Sequence, residues 1–574
     1  MTLDGLTLHF IVEEAKNKIT GCKIDKVHQP RPDTVVLSLR SPGESPKLLI
    51  SAGAMDSRMY LTAGKHSNPK TPPMFCMFLR KHITGAKIAK IEQLGLERIV
   101  NITLEAKDEI GLPRELVLVC ELMGKYSNII LKDDKGVIMD SLRHVSPVQS
   151  RVRSVLPSLS YEVPLSSKLN PLTVSEATLI EMLKKRGDKK IKSYLSQLLQ
   201  GVSGQTADEI LYRYMPSGYE SQPREPEKLA AQILEFFRQK KIPTLYKDSS
   251  AAPYFYSPFI YESMAGGDTQ TFETANAMAD EYYKRLDYIR VFTKKRDSLH
   301  KLVSKRMEKH STLLHKLTES LEQAKKAEQY KTYADIITAN IYRIKRGMTS
   351  IAAQDYETAD SLLIELNPRL SPAANAQVNY KKYAKLKSGV EITQRRIDEN
   401  KKELNFLESV QVSLDSSESI EELAETEFEL SKTGVISAKA AATKATEKPS
   451  TPHRFLSSDG YTFYAGKNNR QNDALTTKAA DEDIWFHTKD IPGSHVVVTG
   501  VKADLSDSTL FEAATVAATL SKAKGSAKTA VDYTRIKNVH KPSGAKPGMV
   551  IYERYNTILV SPDKELLERL LVKT

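Results

Sequence analysis

Between Asp483 and Val498 the chain places its single tryptophan, Trp485, with His487, Lys489 and His495 around a Pro492-Gly493 turn. Asp490, Ser494 and His495 carry the side chains of an acid, a nucleophile and a base. Tertiary geometry assembles such a triad, sequence adjacency does not, and hydrolysis is the weaker expectation. Rings that stack and donors that reach phosphates or base edges use these residue types better, which makes Trp485, His487, Lys489 and His495 candidates for RNA contact. A lone tryptophan in a strand is more often core. Basic side chains follow at Lys522, Lys524, Lys528, Arg535, Lys537, Lys541, Lys546 and Arg554. That density suits phosphate contact, and Lys537 and Lys541 join the candidates.

Composition points the same way. The 574 residues carry 84 Lys plus Arg against 71 Asp plus Glu, a formal charge of +13, so polyanions are the natural partners. No apolar run approaches the ~20 residues needed to cross a bilayer, and mean hydropathy is -0.39, so no membrane partner is expected. The N-terminal stretch lacks a basic leader and is interrupted by Glu13 and Glu14, which predicts a cytoplasmic protein. Cys22, Cys76 and Cys120 lack the spacing of a zinc site or disulfide framework. With no P-loop or metal cluster to be recognised, no cofactor, metal or catalytic residue is expected.

The elements that must position these residues read as a multidomain α+β protein. Residues 1–175 alternate in strand fashion at Thr34–Leu39, Leu48–Ser51 and Leu116–Cys120, with one helix after Pro72-Pro73 burying Phe75, Phe78 and Leu79. In residues 176–272, Leu198–Leu211 reads as a helix-hairpin-helix able to offer backbone N–H groups to a phosphate. Residues 273–431 show heptad spacing at Leu314, Leu317, Leu321 and Ala324, and again at Leu386, Val390, Ile397, Leu404 and Leu407. With Gly347, Pro368 and Pro372 between the two arms, an antiparallel coiled-coil hairpin is expected. Residues 432–452 lack large apolar side chains after Ile436 and read as a linker. Residues 453–574 form an α/β module with strands at Tyr461–Ala465 and Trp485–Val498, a helix at Leu510–Lys522, and a closing hairpin of Met549–Glu553 with Thr557–Val560.

The Gly466-to-Asp473 segment and the run around Trp485 resemble the RNA-binding domain of the NFACT family. The resemblance extends over the chain, through an N-terminal domain similar to Fpg/Nei enzymes, the helix-hairpin-helix, and a coiled-coil tip matched by Tyr333–Gly347 and Asn367–Gln377. It implies a non-enzymatic factor of ribosome-associated quality control. Such a factor binds a large ribosomal subunit (rRNA and ribosomal proteins) obstructed by peptidyl-tRNA. It recruits tRNA, an alanine-accepting one in bacteria, for mRNA-independent tailing that marks the stalled chain for degradation.

The resemblance also assigns residues. Glu97-Arg98 stands where the family usually carries Asp-Arg for tRNA recruitment, and a surface salt bridge is the bland alternative. Glu121, Lys125 and Ile129 match a motif implicated in contacts to the tRNA anticodon arm, where Ile129 serves equally as a buried strand. Ser158 stands where the family has glycine. A DNA glycosylase is disfavoured because Thr2 and Leu3 replace the proline and glutamate it needs. Older naming of relatives as fibronectin-binding proteins leaves a surface adhesin as the alternative function.

Overall fold

Alternating apolar residues from Ile24 to Leu131 build one antiparallel nine-stranded sheet in the first of two units, Met1–Ile289. The computed structural model describes residues 3–108, 110–150, 153–164, 166–215, 225–249, 251–354, 361–437 and 450–572. Thr2 and residues 438–449 of the expected linker lie outside them. The strands are β1 (Lys23–Arg31), β2 (Thr34–Arg40), β3 (Lys47–Ser51), β4 (Arg58–Thr62), β5 (Lys87–Gln93), β6 (Ile99–Lys107), β7 (Pro113–Glu121), β8 (Asn128–Asp133) and β9 (Ile138–Ser141). Their order, β4-β3-β2-β1-β5-β6-β7-β8-β9, is two meanders joined where β1 pairs with β5. Helices α1 (Gly5–Ile19) and α2 (Met74–Ile83) cover the sheet. Leu8, Ile11, Val12, Phe75 and Leu79 enter the same core as Leu37, Ile50, Ile102 and Leu118.

Four helices follow: α3 (Glu176–Lys184), α4 (Ile191–Leu198), α5 (Gly204–Tyr214) and α6 (Pro226–Arg238). The α4–α5 pair is the expected hairpin, with Gly201 at φ +75° in its turn. That turn meets the chain's own N-terminal segment. Leu6 N donates to Gly201 O at 3.3 Å, and Thr206 Oγ1 donates to Asp4 Oδ2 at 2.7 Å. A carboxylate therefore stands beside the helix start where a phosphate contact was expected. A three-stranded sheet that periodicity did not reveal completes the unit, from β10 (Thr244–Lys247), β11 (Pro253–Ser257) and β12 (Asp268–Thr271).

Helix α7 (Ala275–Ala324) leads into the second unit, Arg290–Thr574. With α8 (Ala327–Ala339) and α9 (Pro372–Ser416) it forms the antiparallel hairpin, as the opposed order of its contacts shows. His300 pairs with Asp415, His310 with Asn400, and Asp335 with Tyr380. Only the ends of the arms are well closed. Leu299, Val303, Phe406, Leu407 and Val410 pack at one end. At the other, Ile336, Ile337 and Ala376 pack on an unforeseen β-hairpin of β13 (Ser350–Gln354) and β14 (Ser361–Glu365). The second arm ends at Ser416, and a separate helix α10 (Ile420–Lys432) follows, contributing Leu423 and Leu430 to the first of these clusters.

The last module contains β15 (His453–Leu456), β16 (Thr462–Ala465), α11 (Asn469–Lys478), β17 (Ile484–Thr488), β18 (Val496–Val498), α12 (Asp507–Thr519), β19 (Thr529–Arg535), β20 (Val539–His540), β21 (Ile551–Tyr552), β22 (Asn556–Val560) and α13 (Lys564–Leu570). Its six-stranded sheet runs β15-β16-β18-β17-β19-β22. The expected closing hairpin does not form: β21 pairs with β20, and β22 with β19. The chain turns away between them at Arg554, φ +52°, where Thr534 Oγ1 donates to Arg554 O at 3.0 Å.

Ser158 adopts φ +68°, the left-handed region that disfavours a side chain. Its N–H donates to Ile138 O at 2.8 Å, so the turn is held in that conformation. Ser158→Gly removes a strain of about 1–2 kcal/mol at the cost of roughly 0.5–1 kcal/mol in unfolded-chain entropy. A small rise in the urea midpoint is the expected result, and a fall would contradict the strain.

Candidate nucleic-acid interface

Of the N-terminal candidates, Glu97 and Arg98 sit on the β5–β6 turn, Glu121 at the end of β7, Lys125 in the helical turn that follows, and Ile129 on β8. Gly95, at φ +56°, lets the chain reverse, and Gln93 Nε2 bridges Gly5 O (2.9 Å) and Glu97 O (2.8 Å). A side chain at Gly5 would place its Cβ 1.8 Å from Leu96 O, so glycine is required there for α1 to approach the turn. Leu122 N donates to Arg98 O at 2.8 Å, which joins the Glu97-Arg98 and Glu121 segments into one site.

Within it the side chains divide. Glu97 and Arg98 are half-buried. Glu97 accepts from Ser166 Oγ at 2.5 Å, and Arg98 Nη1 donates to Leu3 O at 3.4 Å. Burial lowers the Arg98 pKa against the pull of Asp4 and Glu97. Glu121 and Ile129 are fully enclosed, so Ile129 takes the buried-strand reading, and Glu121, expected to meet the tRNA, has no exposed surface in this fold. Glu121 instead holds Arg153 and accepts from the Tyr161 hydroxyl at 2.8 Å, while Ile129 packs in the sheet core. Lys125 is exposed, its ammonium 4.9 Å from the ring centre of Tyr126. Tyr126, 69% exposed, is the surface aromatic that motif reasoning passed over.

In the C-terminal module the two-residue period of β17 sends Phe486 into the core under α12 and Trp485 to the other face, against Val497, Ile536 and Val539. Trp485 and His495 are enclosed, Trp485 in the core position that a lone strand tryptophan more often takes. Their rings form a nest: Trp485 stacks on His487 at 5.6 Å and meets His495 edge-on at 5.2 Å and Tyr552 at 4.9 Å. The indole Nε1 has no acceptor. Ser494 donates to Gly466 O (2.7 Å), His495 Nδ1 lies 2.9 Å from Thr476 Oγ1, and Asp490 is exposed, so the three do not form a triad.

Burial lowers the pKa of His487 to about 4, and that of His495 well below its ordinary value, so both imidazoles are neutral near pH 7. Asp532, opposite His487 in the β17–β19 register, is wholly buried. It accepts from the hydroxyls of Tyr552 (2.8 Å) and Thr557 (2.6 Å), with Lys489 at 3.9 Å. Lys489 also lies 5.1 Å over Tyr555, which is 43% exposed. Lys537 and Lys541 are exposed and pair with Glu482 and Asp473. Among the described residues no cluster of His, Cys, Asp or Glu could hold a metal, and no helix is long and apolar enough to cross a membrane.

Two family models cover nearly the whole chain: the NFACT N-terminal and middle domains match residues 4–449, and the NFACT protein RNA binding domain matches residues 451–554. The chain belongs to the NFACT family. The Rqc2 homolog RqcH of Bacillus subtilis (strain 168) is 36% identical over 99% of this chain and 100% of its own length. RqcH of Streptococcus suis (strain 05ZYH33) is 35% identical over 100% of both. A solved N-terminal part of the fibronectin/fibrinogen-binding protein from Streptococcus suis, 34% identical, covers 49% of this chain and 98% of its own, with a TM-score of 0.42.

The NFACT segment Gly466–Asp473 is the frame of the second site. Lys467 donates to Glu422 (2.7 Å), Asn468 to Glu425 (2.7 Å) and Asn469 to Glu429 (2.9 Å), so consecutive residues meet one face of α10. Asn472 Oδ1 accepts from His495 N at 3.1 Å, and Asp473 Oδ1 from Gly548 N at 2.9 Å. Gly493 fits only because a Cβ there would lie 2.8 Å from that of Ser521.

Two outcomes follow from this geometry. Gly5→Ala must displace the Leu96–Arg98 turn, and overpacking of this kind costs about 1–3 kcal/mol in urea unfolding; an unchanged midpoint would show that the contact does not set the turn. The second concerns pH. His453, His487 and His495 all have folded pKa values depressed by burial, with His453 and His487 at about 4. Between pH 6.5 and 4 the unfolded chain therefore binds more protons, and stability is lost as pH falls. Glu429, pushed up to about 7 by burial, works in the opposite direction between pH 4.5 and 7. Three groups against one leave a net loss on the order of 1 kcal/mol or more per pH unit. The emission of the single tryptophan in urea titrations at pH 7, 6 and 5 measures it, with a midpoint that falls at each step.

Proposed function

We propose that this chain is a ribosome-associated quality control factor. It binds large ribosomal subunits obstructed by peptidyl-tRNA and recruits a further, alanine-accepting tRNA for mRNA-independent extension of the stalled chain. The observation that carries this reading is the end-to-end match to RqcH, 100% of that protein's length at 36% identity. The two sites support it in different ways. At the N-terminal site, Arg98 on a braced turn offers a planar guanidinium fork to a phosphate or base, with Lys125 and Tyr126 in the helical turn between β7 and β8. At the C-terminal site, Lys489, Lys537 and Lys541 supply phosphate contacts to rRNA, and Trp485 and His495 hold the frame beneath them. Peptide-bond formation remains the chemistry of the ribosome, and this chain contributes position.

Affinity purification from the native cell at moderate salt, with sequencing of the co-purified RNA, tests the reading. Wild type brings down large-subunit rRNA together with an enriched tRNA. Arg98→Ala loses most of the tRNA, about tenfold for a contact worth ~1.4 kcal/mol, and keeps the rRNA. Lys537→Ala with Lys541→Ala weakens rRNA recovery instead, most at low salt, and its recovery falls less steeply than that of wild type as salt rises. Recovery of neither RNA by wild type would overturn the proposal and return the adhesin reading.

A further inference from the structure

We propose that the cleft beside Trp485 is a pocket for a single unpaired nucleobase, with guanine the base it fits. This rests on the RNA-binding reading above and names what its C-terminal site takes. The cleft has a volume of about 340 Å³ and is lined by the 490–493 turn, the loop around Gly548 and Met549, and Phe406 of α9. That volume lies at the small end of the range for ligand clefts, ~300–1,000 Å³.

Its chemistry is unlike that of an anion site. His487 and Tyr552 give it aromatic faces, with the enclosed Trp485 ring behind them, and Pro492, Pro547 and Met549 give it apolar surface. Both imidazoles are neutral near pH 7, and Asp490 is the only charged residue in the lining. A phosphate would meet a carboxylate there, and the nearest cations, Lys546 and Lys489, already stand beside Glu403 and Asp532. A flat group with two adjacent N–H donors would meet stacking surfaces and a bidentate acceptor. Guanine alone among the four bases presents two such donors side by side, N1–H and N2–H, on its Watson–Crick edge.

The turn presents the carboxylate by construction. Asp490 stands at φ +54°, a conformation that Asp and Asn tolerate better than other side chains, and its residue is exposed. Cations stand nearby for the flanking phosphates. Lys546 lies 4.5 Å over the Phe406 ring, and the neighbouring Lys489 lies 5.1 Å over Tyr555. The base is thus read where charge is negative and the backbone is held where it is positive.

The single tryptophan lines the cleft and serves as the reporter. The full chain is titrated with RNA pentanucleotides of four uridines around a central G, A, C or U, following Trp485 emission. Saturable quenching with the G pentamer, about tenfold tighter than with the other three, is expected. In Asp490→Asn, which keeps the left-handed turn and whose fold is checked by circular dichroism, the preference falls to within about twofold. Equal quenching by all four pentamers, an unchanged preference in Asp490→Asn, or quenching by inorganic phosphate or a lysine-bearing peptide in place of RNA would each overturn the pocket. Filter binding of a long structured RNA separates the two levels. If that RNA binds and no pentamer quenches, the pocket falls and the RNA-binding reading stands; if neither occurs, both fall.

Discussion

A buried charge must be paired, and in this protein the pairs are the joints between elements distant in sequence. Arg58, almost wholly enclosed on β4, bonds Asp56 at 2.6 Å and Asp287 of α7 at 2.9 Å, with the Tyr283 ring 4.4 Å away. Glu14 of α1 accepts from the N–H groups of Ala275 and Asn276, at 2.9 and 3.0 Å, at the start of α7. Burial opposes its charge, but those bonds and Lys241 win and hold its pKa down. Glu209 gathers Arg213 and the N–H groups of Glu262 and Ser263. In the second unit Glu422, Glu425 and Glu429 fasten α10 to Lys467, Asn468 and Asn469. Such pairs add little net stability over apolar substitutes, but removing one partner strands the other at about 3–5 kcal/mol, so they admit one arrangement of the elements.

The same rule decides what was legible in the sequence. Strands β2, β3 and β7, helix α2 and the hairpin arms announce themselves through period, because apolar burial repeats with the backbone. The β13–β14 hairpin and the β10–β12 sheet were missed. Both are short, and the exposed Leu363 and Tyr254 break the alternation that would have marked them. The pairing of β21 with β20 could not be read from strand signals alone, since it depends on a left-handed Arg554 that no glycine advertises. Helix α10 reads as part of the second arm because Leu423 and Leu430 repeat at seven residues, a spacing that does not show the break at Ser417.

At the sites, motif and contact came apart. Residue type picked out segments that the fold brings together, since Glu97-Arg98 and Glu121 are joined through one backbone hydrogen bond, and Trp485, His487 and His495 share one nest. Residue type did not say which side chains face outward. Glu121, Ile129, Trp485 and His495 face inward, because strand register alternates and the enclosed positions are those that must be shape-specific. Their exposed neighbours Tyr126, Lys125, Lys489 and Tyr555 carry generic chemistry, and nothing in their spacing distinguishes them from an ordinary wet surface.

The outward cations share one further property. Lys537 and Lys541 sit beside Glu482 and Asp473, and Lys546 beside Glu403. Half-exposed pairs of this kind contribute about 0–1 kcal/mol each, so a phosphate can displace the carboxylate at little cost to the fold. On the proposed reading, the acids would position the ammonium groups while no RNA is bound, limit their mutual repulsion, and yield to a polyanion of higher charge density. A site built of exchangeable pairs over a rigid, neutral, aromatic frame would, on that reading, bind tightly at low salt and release as salt rises. The frame is indifferent to ionic strength because its histidines carry no charge to screen.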